Sequence, residues 1–356
     1  MQGFVGVLSH KTCRLNKRCR RSAGSHRPCA SRKGVLRMSK FRDIFRPRQR
    51  YARVKPQTAP TQEEAKDQSQ TRDMLWSKCP QCKGFIYRKD LERNLGVCDK
   101  CHFHFPIGAK ERLHQLIDAG TEPELLFNDL VTVDVLGFPD YQAKLARDAE
   151  KTDLNDSVVI HRAMIGGHRV ILGIMDFGFL GGSMGAVTGE RITRAFELAT
   201  AEGLPVIIVS SSGGARMQEG IISLMQMQKT AAAVELHSRA GLLYISVLTH
   251  PTTAGVYGSF ASQGDINLAE PGAIVGFAGR PVIEAAIGKR VSPDLQKAET
   301  VFANGFIDAI VPRPELKSFL HRLLDFHCEP VVKAEEVEKE PSAAGHESEQ
   351  NAMQRE

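Results

Sequence analysis

Two groups of residues in this sequence have types and spacing suited to chemistry. The first is Cys79-Pro-Gln-Cys82 and Cys98-Asp-Lys-Cys101, two C-x-x-C pairs separated by fifteen residues. Each pair makes a tight knuckle that aims two thiolates at one point, and the span between them suits a short hairpin. Four thiolates close a tetrahedral site with no open position. Cys79, Cys82, Cys98 and Cys101 are therefore expected to hold one structural Zn2+, not a catalytic one. With four cysteines at hand, His102 and His104 are expected to be solvent-facing strand residues. So small a module, with little apolar content, needs its metal to fold.

The second group is main chain. Ser210 to Gly220 reads SSSGGARMQEG, after the β-branched run Pro205-Val-Ile-Ile-Val209 and before a long helical pattern. A strand ending in a glycine pair and turning into a helix presents backbone: no Cβ at Gly213 or Gly214 holds a ligand off. The unpaired N–H groups of the helix's first turn carry the positive end of its dipole. That suits a phosphate or an enolate oxygen. Phe179-Leu-Gly-Gly-Ser-Met-Gly185 repeats the arrangement and makes Gly181 and Gly182 candidate substrate contacts. Arg216 lies in a first helical turn, where a cation opposes the dipole, so it needs an anionic partner, either Glu219 or a ligand.

Side-chain chemistry has less support. Ser210, Ser211 and Ser212 lack a G-x-S-x-G elbow and an assigned base. Glu219 and Asp265 read better as capping or salt-bridging groups than as acid/base catalysts. No G-x-x-x-x-G-K-[ST] phosphate loop occurs at these positions.

The elements that must position these groups alternate. A helix is expected over residues 107–120, a strand at Leu130 to Val135 and a helix from Tyr141 to Lys151. Strands follow at Val158 to Ile160 and Val170 to Ile174, joined by the Gly166-Gly167 turn. Then come a helix to Glu202, the Pro205 strand, a helix to about Ala240, a strand at Leu242 to Leu248 and a helix from Val256 to Gln263. Strands at Ala273 to Phe277 and Ile307 to Val311 flank a helix from Ala298 to Asn304. Strands alternating with helices imply parallel βαβ units and an α/β class.

The chain has 356 residues, 42% hydrophobic and 25% charged, which is ordinary for a globular protein with a substantial core. No run approaches twenty apolar residues, so no membrane span is expected. The net charge of +6 is misleading: residues 1–42 hold twelve Lys and Arg and no acid, leaving the remainder acidic. Residues 1–70 are expected to be a disordered basic leader and linker, with Met38 the favoured true start, and residues 331–356 a disordered acidic tail. The paired cysteines fit a metal site in a reducing cytoplasm better than a disulfide framework.

The C-x-x-C spacing, Phe179 to Gly185, Ser212 to Gly220 and Gly264-Asp-Ile-Asn-Leu-Ala-Glu-Pro271 occur in that order. Together they resemble the carboxyltransferase β-subunit family of bacterial acetyl-CoA carboxylases, from about Leu75 to Pro314. The resemblance implies a zinc ribbon over residues 75–105 and a crotonase-like (ClpP-like) spiral fold of repeated ββα units over 107–330. It implies transfer of a carboxyl group from carboxybiotin to acetyl-CoA, giving malonyl-CoA for fatty acid biosynthesis. The backbone N–H groups of Gly213 and Gly214 would hold the thioester enolate. It further implies an α subunit in an α2β2 assembly, a biotin carboxyl carrier protein and biotin carboxylase. The chain has room for only one crotonase-like half, so α would supply the biotin side.

Some positions depart from the family pattern: His250 stands where Asp is expected and Ala254 where Gly is expected. Tyr257 and the order Gly279-Arg-Pro281 differ too, which bears on acyl-CoA preference. A hydratase or isomerase of the same fold would need a carboxylate pair and no cysteine module. A nucleic-acid-binding zinc protein would need more stacking groups than Trp76, Phe85 and Tyr87, and a less mixed charge.

Overall fold

The computed structural model describes residues 75–328; the leader, the Met38 start and the acidic tail lie outside them. The chain begins with an antiparallel hairpin, β1 (Trp76–Lys78) and β2 (Phe85–Tyr87), followed by the short helix α1 (Arg88–Arg93). Then come α2 (Ala109–Leu116), β3 (Glu124–Leu126), α3 (Tyr141–Thr152), β4 (Val158–Ile165), β5 (His168–Met175) and α4 (Ala186–Glu202). The order continues with β6 (Val206–Ser212), α5 (Ile221–Arg239), β7 (Tyr244–Thr253), α6 (Ala254–Tyr257), β8 (Ile266–Ala269) and β9 (Val275–Gly276). It ends with α7 (Arg280–Ile287), α8 (Ala298–Ala303), β10 (Ala309–Ile310) and α9 (Arg313–His327).

An eight-stranded sheet runs β10-β8-β7-β6-β5-β4-β3, with β9 paired to the end of β7. It is antiparallel where β3, β4 and β5 meet and parallel from β5 through β10. The strands read as near-continuous apolar runs because both faces of the sheet are covered. Ile160, Ile171 and Ile208 join Phe196 of α4 and Val234 of α5 in one core. Their neighbours Val159, Leu172 and Ile207 join Leu116 of α2 and Leu320 of α9 in the other. Gly189 permits the close packing of α4 on α5, since a Cβ there would lie 2.3 Å from Gln226 Oε1.

Two expected elements differ. Residues 130–135 form no strand and end in a tight turn, Val135 N–H to Val133 O, leaving Val131, Val133 and Val135 exposed, while strand β3 lies upstream. The alternation that suggested a strand instead turns Thr132 inward, where its hydroxyl donates to Asp156 Oδ2 at 2.6 Å. The helix expected from Val256 to Gln263 is one α turn, α6, and a separate 3-10 turn at Phe260–Ser262. Ser259 breaks it, with φ −133° and ψ −122°.

Candidate functional site: glycine loops and a four-cysteine centre

The four cysteine sulfurs lie within 4.8 Å of one another. Cys79 Sγ is 3.6 Å from Cys101 Sγ, and Cys82 Sγ is 3.8 Å from Cys98 Sγ. A tetrahedron with Zn–S bonds of about 2.3 Å has edges of about 3.8 Å, so these thiolates fit Zn2+ and leave no open position. The ribbon's own core is small: Cys79, Ile86 and Cys98, with Leu91 and Phe103 against them.

His102 is exposed as expected, though in a left-handed turn (φ +57°) and not a strand, and His104 is not exposed. It is 8% exposed, and its Nε2 accepts the Arg313 N–H at 3.1 Å. Burial, helped by the Arg313 guanidinium and opposed by the Glu270 carboxylate, pushes its pKa down. It docks the ribbon; it is neither a solvent-facing residue nor a metal ligand.

The two glycine loops meet backbone to backbone. Gly213 N–H donates to Gly181 O at 2.9 Å, Met184 N–H to Gly214 O at 2.8 Å and Arg216 N–H to Met184 O at 2.9 Å. Gly182 must be glycine, because a Cβ there would lie 2.0 Å from Ser211 O. Gly182 is buried in this contact and lends no surface to a ligand. Gly181 and Gly213 face open space: a Cβ would meet nothing nearer than 4.0 Å and 3.6 Å respectively.

The expected oxyanion donors are already engaged. Gly213 N–H is bonded to Gly181 O, and Gly214 N–H to Ser212 Oγ at 3.0 Å. One residue on, the geometry changes. Because the residues flanking Ala215 both bond to Met184, the Ala215 N–H points to the opposite side, toward Gly255. A Cβ on Gly255 would lie 3.3 Å from the Ala215 nitrogen, and one on Gly214 3.3 Å from the Gly255 nitrogen. Gly255 is the second residue of α6, where an amide has no partner within the helix. Two main-chain amides thus lie side by side at the C-terminal ends of β6 and β7. The loop His250 to Gly255 was legible as glycine-ended, but nothing in its spacing tied it to Ala215.

Arg216, expected among the substrate contacts, is fully buried. Its guanidinium spans Asp156 Oδ1 at 2.8 Å and Glu219 Oε1 at 3.2 Å, and donates to Ser183 O at 2.8 Å. Burial alone would push the Asp156 carboxyl up, but Arg216 and hydroxyls from Thr132 and Thr188 hold it at about 2. Glu219 accepts the Tyr141 hydroxyl and the Ala186 N–H, each at 2.6 Å, so it caps the start of α4. Asp265 likewise accepts the Tyr244 N–H at 2.8 Å. Arg216, Asp156 and Glu219 brace the two loops from behind, while Asp265 sits at the other end of β7.

The carboxyl transferase domain family matches residues 128–354, and the acetyl-CoA carboxylase zinc finger domain matches residues 76–101. The chain belongs to the carboxyltransferase family. It is 47% identical over 285 residues, 80% of this chain and 98% of the relative, to the acetyl-coenzyme A carboxylase carboxyl transferase subunit beta of Desulforamulus reducens. Among solved structures it is similar to transcarboxylase 12S at 24% identity and TM-score 0.54, over 76% of this chain and 48% of that one. The Pseudomonas malonate decarboxylase MdcD-MdcE heterodimer is similar at 24% identity and TM-score 0.50, over 63% and 88%. The fold is therefore crotonase-like, with a mixed sheet and a zinc ribbon before it. The chain is an enzyme component of a multisubunit carboxylase, and no helix among the described residues is long and apolar enough to cross a membrane.

In this carboxyltransferase the ribbon stands over the ends of the sheet strands. A small cleft there is lined by Phe177, Ser211, Thr249 and His250 together with His104 and Ile107. Phe177 also lies against Gly181, so the cleft adjoins the glycine loops. Of the departures from the family pattern, only His250 lines it. His250 is exposed in the cleft, where its Nδ1 accepts the Ile274 N–H at 3.3 Å. Ala254 has φ +52°, and a Cβ on Gly214 would meet its own Cβ at 2.5 Å. Tyr257 packs partly buried on the first core, and Arg280 lies at the surface 3.8 Å from Glu284.

Proposed function

We propose that this chain provides the acyl-CoA half of a two-subunit carboxyltransferase site, converting acetyl-CoA to malonyl-CoA for fatty acid biosynthesis. Carboxybiotin, presented on a biotin carboxyl carrier protein and loaded by biotin carboxylase, supplies CO2 and then a nitrogen base for the acetyl methyl proton. The chain's own task is to hold the thioester enolate while its carbon attacks that CO2. The paired amides of Ala215 and Gly255 carry this reading. They lie where parallel strands end, with the exposed backbone of Gly213 two residues before Ala215. A preorganised donor of this kind is worth about 3 kcal/mol in the transition state. No side-chain nucleophile is required, which agrees with serines that have no base and carboxylates committed to Arg216 and Tyr244. Gly213 and Gly214 then shape the approach and hold the loop.

The site is half of one. A single 3-10 turn separates the Gly213 loop from helix α5; Met217 on that turn and Ile221, Leu224, Met225 and Leu236 along the helix are exposed. An apolar face of this extent favours a partner. We assign that partner as the α subunit of an α2β2 assembly, bringing the biotin-side donors. The reducing cytoplasm, where the four thiolates stay free for zinc, is the compartment this reading requires.

The test is malonyl-CoA:biocytin exchange by the purified chain with and without α. The chain alone should be inactive and the pair active. Activity of the chain alone would reject the shared site, and no activity in the pair would reject the reaction.

A further inference from the structure

We propose that His168, His321 and Asp325 form a second metal site, separate from the cysteines, for a divalent transition cation of the zinc class. His168 opens β5, while His321 and Asp325 stand one turn apart on α9 and so share a face. His168 Nε2 is 2.7 Å from Asp325 Oδ1, and His321 Nε2 is 3.1 Å from Asp325 Oδ2. One ligand atom from each of the three lies within 4.8 Å of the others. The glycine turn between β4 and β5 makes room for this. A Cβ on Gly166 would lie 2.3 Å from the His321 ring, so only glycine lets that ring rest over the turn toward His168.

Two imidazoles and one carboxylate are a borderline donor set, suited to Zn2+ and its neighbours and not to Mg2+ or Ca2+. His168 is 2% exposed at its side chain and gives a fixed anchor. His321 and Asp325 are about half exposed, at 47% and 53%, so a cation arrives from solvent and water completes its shell. Binding displaces the protons that otherwise sit between ring nitrogens and carboxylate. It would replace two hydrogen bonds by one staple joining the β4–β5 hairpin to the C-terminal helix. His168 Nδ1 is buried with no partner, so this ligand lacks the outer hydrogen bond that tightens a zinc site, a deficit of about 10- to 100-fold in affinity. The site is therefore weaker than the ribbon's and exchanges its metal.

The experiment is calorimetric titration of Zn2+ into the full chain already carrying its ribbon zinc. One further equivalent should bind, and His321→Ala and Asp325→Asn should each weaken it at least tenfold while the ribbon zinc is retained. Saturation at one zinc per chain, or a second equivalent that both variants keep, overturns the site. Titrating Co2+ into the zinc-loaded wild-type chain gives a reading that needs no variant. Nitrogen and oxygen ligation produces visible bands without thiolate charge transfer, whereas charge transfer would assign the second ion to cysteine and reject the proposal.

Discussion

Arg313 grips Glu270 with two parallel hydrogen bonds, Nε to Oε1 and Nη2 to Oε2, both 2.9 Å and both buried. Its remaining nitrogen, Nη1, donates to Leu95 O at 3.0 Å in the ribbon, and Arg112 shares Glu270 Oε1 at 2.7 Å. One guanidinium therefore joins the ribbon to the end of β8 and the start of α9. Removing it leaves a buried carboxylate with a single cation, which costs about 3–5 kcal/mol. Arg313→Met should lower the unfolding free energy by that amount, seen as a lower urea midpoint, and expose residues 76–105 to protease with zinc still bound. Arg313→Lys should not restore stability, because an ammonium cannot make the planar fork. A wild-type urea midpoint in Arg313→Met would show that the ribbon is held by something else.

Acid should unfold the chain in two overlapping stages. His161 is 8% exposed on β4, and burial pushes its pKa down to about 4. The unfolded chain takes up that proton near pH 6.5 while the folded chain refuses it, so stability falls from about 6.5 toward 4. The loss is on the order of 3 kcal/mol. Burial alone would push Glu270 up, but Arg112 and Arg313 hold it at about 2, as Arg216 does Asp156. Those contributions are fully present above the ordinary carboxylate range and drain away as pH falls through it toward 2. His161→Leu should shrink the first stage, leaving what the buried rings of His104 and His237 contribute with the same sign, and leave the second unchanged. Denaturation midpoints measured between pH 7 and 3 should separate them.

Zinc removal should be local. The ribbon has only Cys79, Ile86 and Cys98 fully buried in its core, too little to fold without the metal. The sheet has two extensive cores that the ribbon does not enter. A strong chelator should therefore release one tightly held zinc per chain and open amide exchange over residues 76–105. Strands β4 to β7 should keep their protection. Global unfolding on chelation would mean that the ribbon supports the sheet as well as resting on it.

The metal ligands and the α/β order were legible because each is a local pattern: four cysteines at knuckle spacing, and apolar runs separated by glycine turns. What could not be read is what lies across the sheet. His104 sits next to the cysteines in sequence, yet its fate is decided by Arg313, 209 residues away. Arg216 needs an anion by its place in the sequence and finds Glu219 three residues on, but its closer partner, Asp156, comes from just before β4. Residues 130–135 alternate like a strand because one face is half-buried, and there Thr132 meets an ionic cluster instead of a neighbouring strand. The glycine pair was recognised as exposed backbone. Which amides remain free depends on Gly181 and Met184 arriving from the other loop.

That last point can be decided by two methyl groups. Gly213→Ala places a Cβ in open space, 3.6 Å from the nearest atom, so its thermal midpoint should match wild type. If Gly213 only borders the path of the thioester, the added methyl should raise KM for malonyl-CoA in the exchange assay and leave kcat nearly unchanged. Gly255→Ala places a Cβ 3.3 Å from the Ala215 nitrogen and 3.2 Å from Met227 Sδ, a tight fit that should cost about 1–3 kcal/mol of stability. In the fraction that remains folded, the methyl stands between the two amides and should cut kcat about 100-fold or more. The opposite result, a collapse of kcat in Gly213→Ala with Gly255→Ala still turning over, would return the oxyanion contact to the Gly213 and Gly214 amides. It would then require those amides to leave Gly181 O and Ser212 Oγ when the α subunit binds.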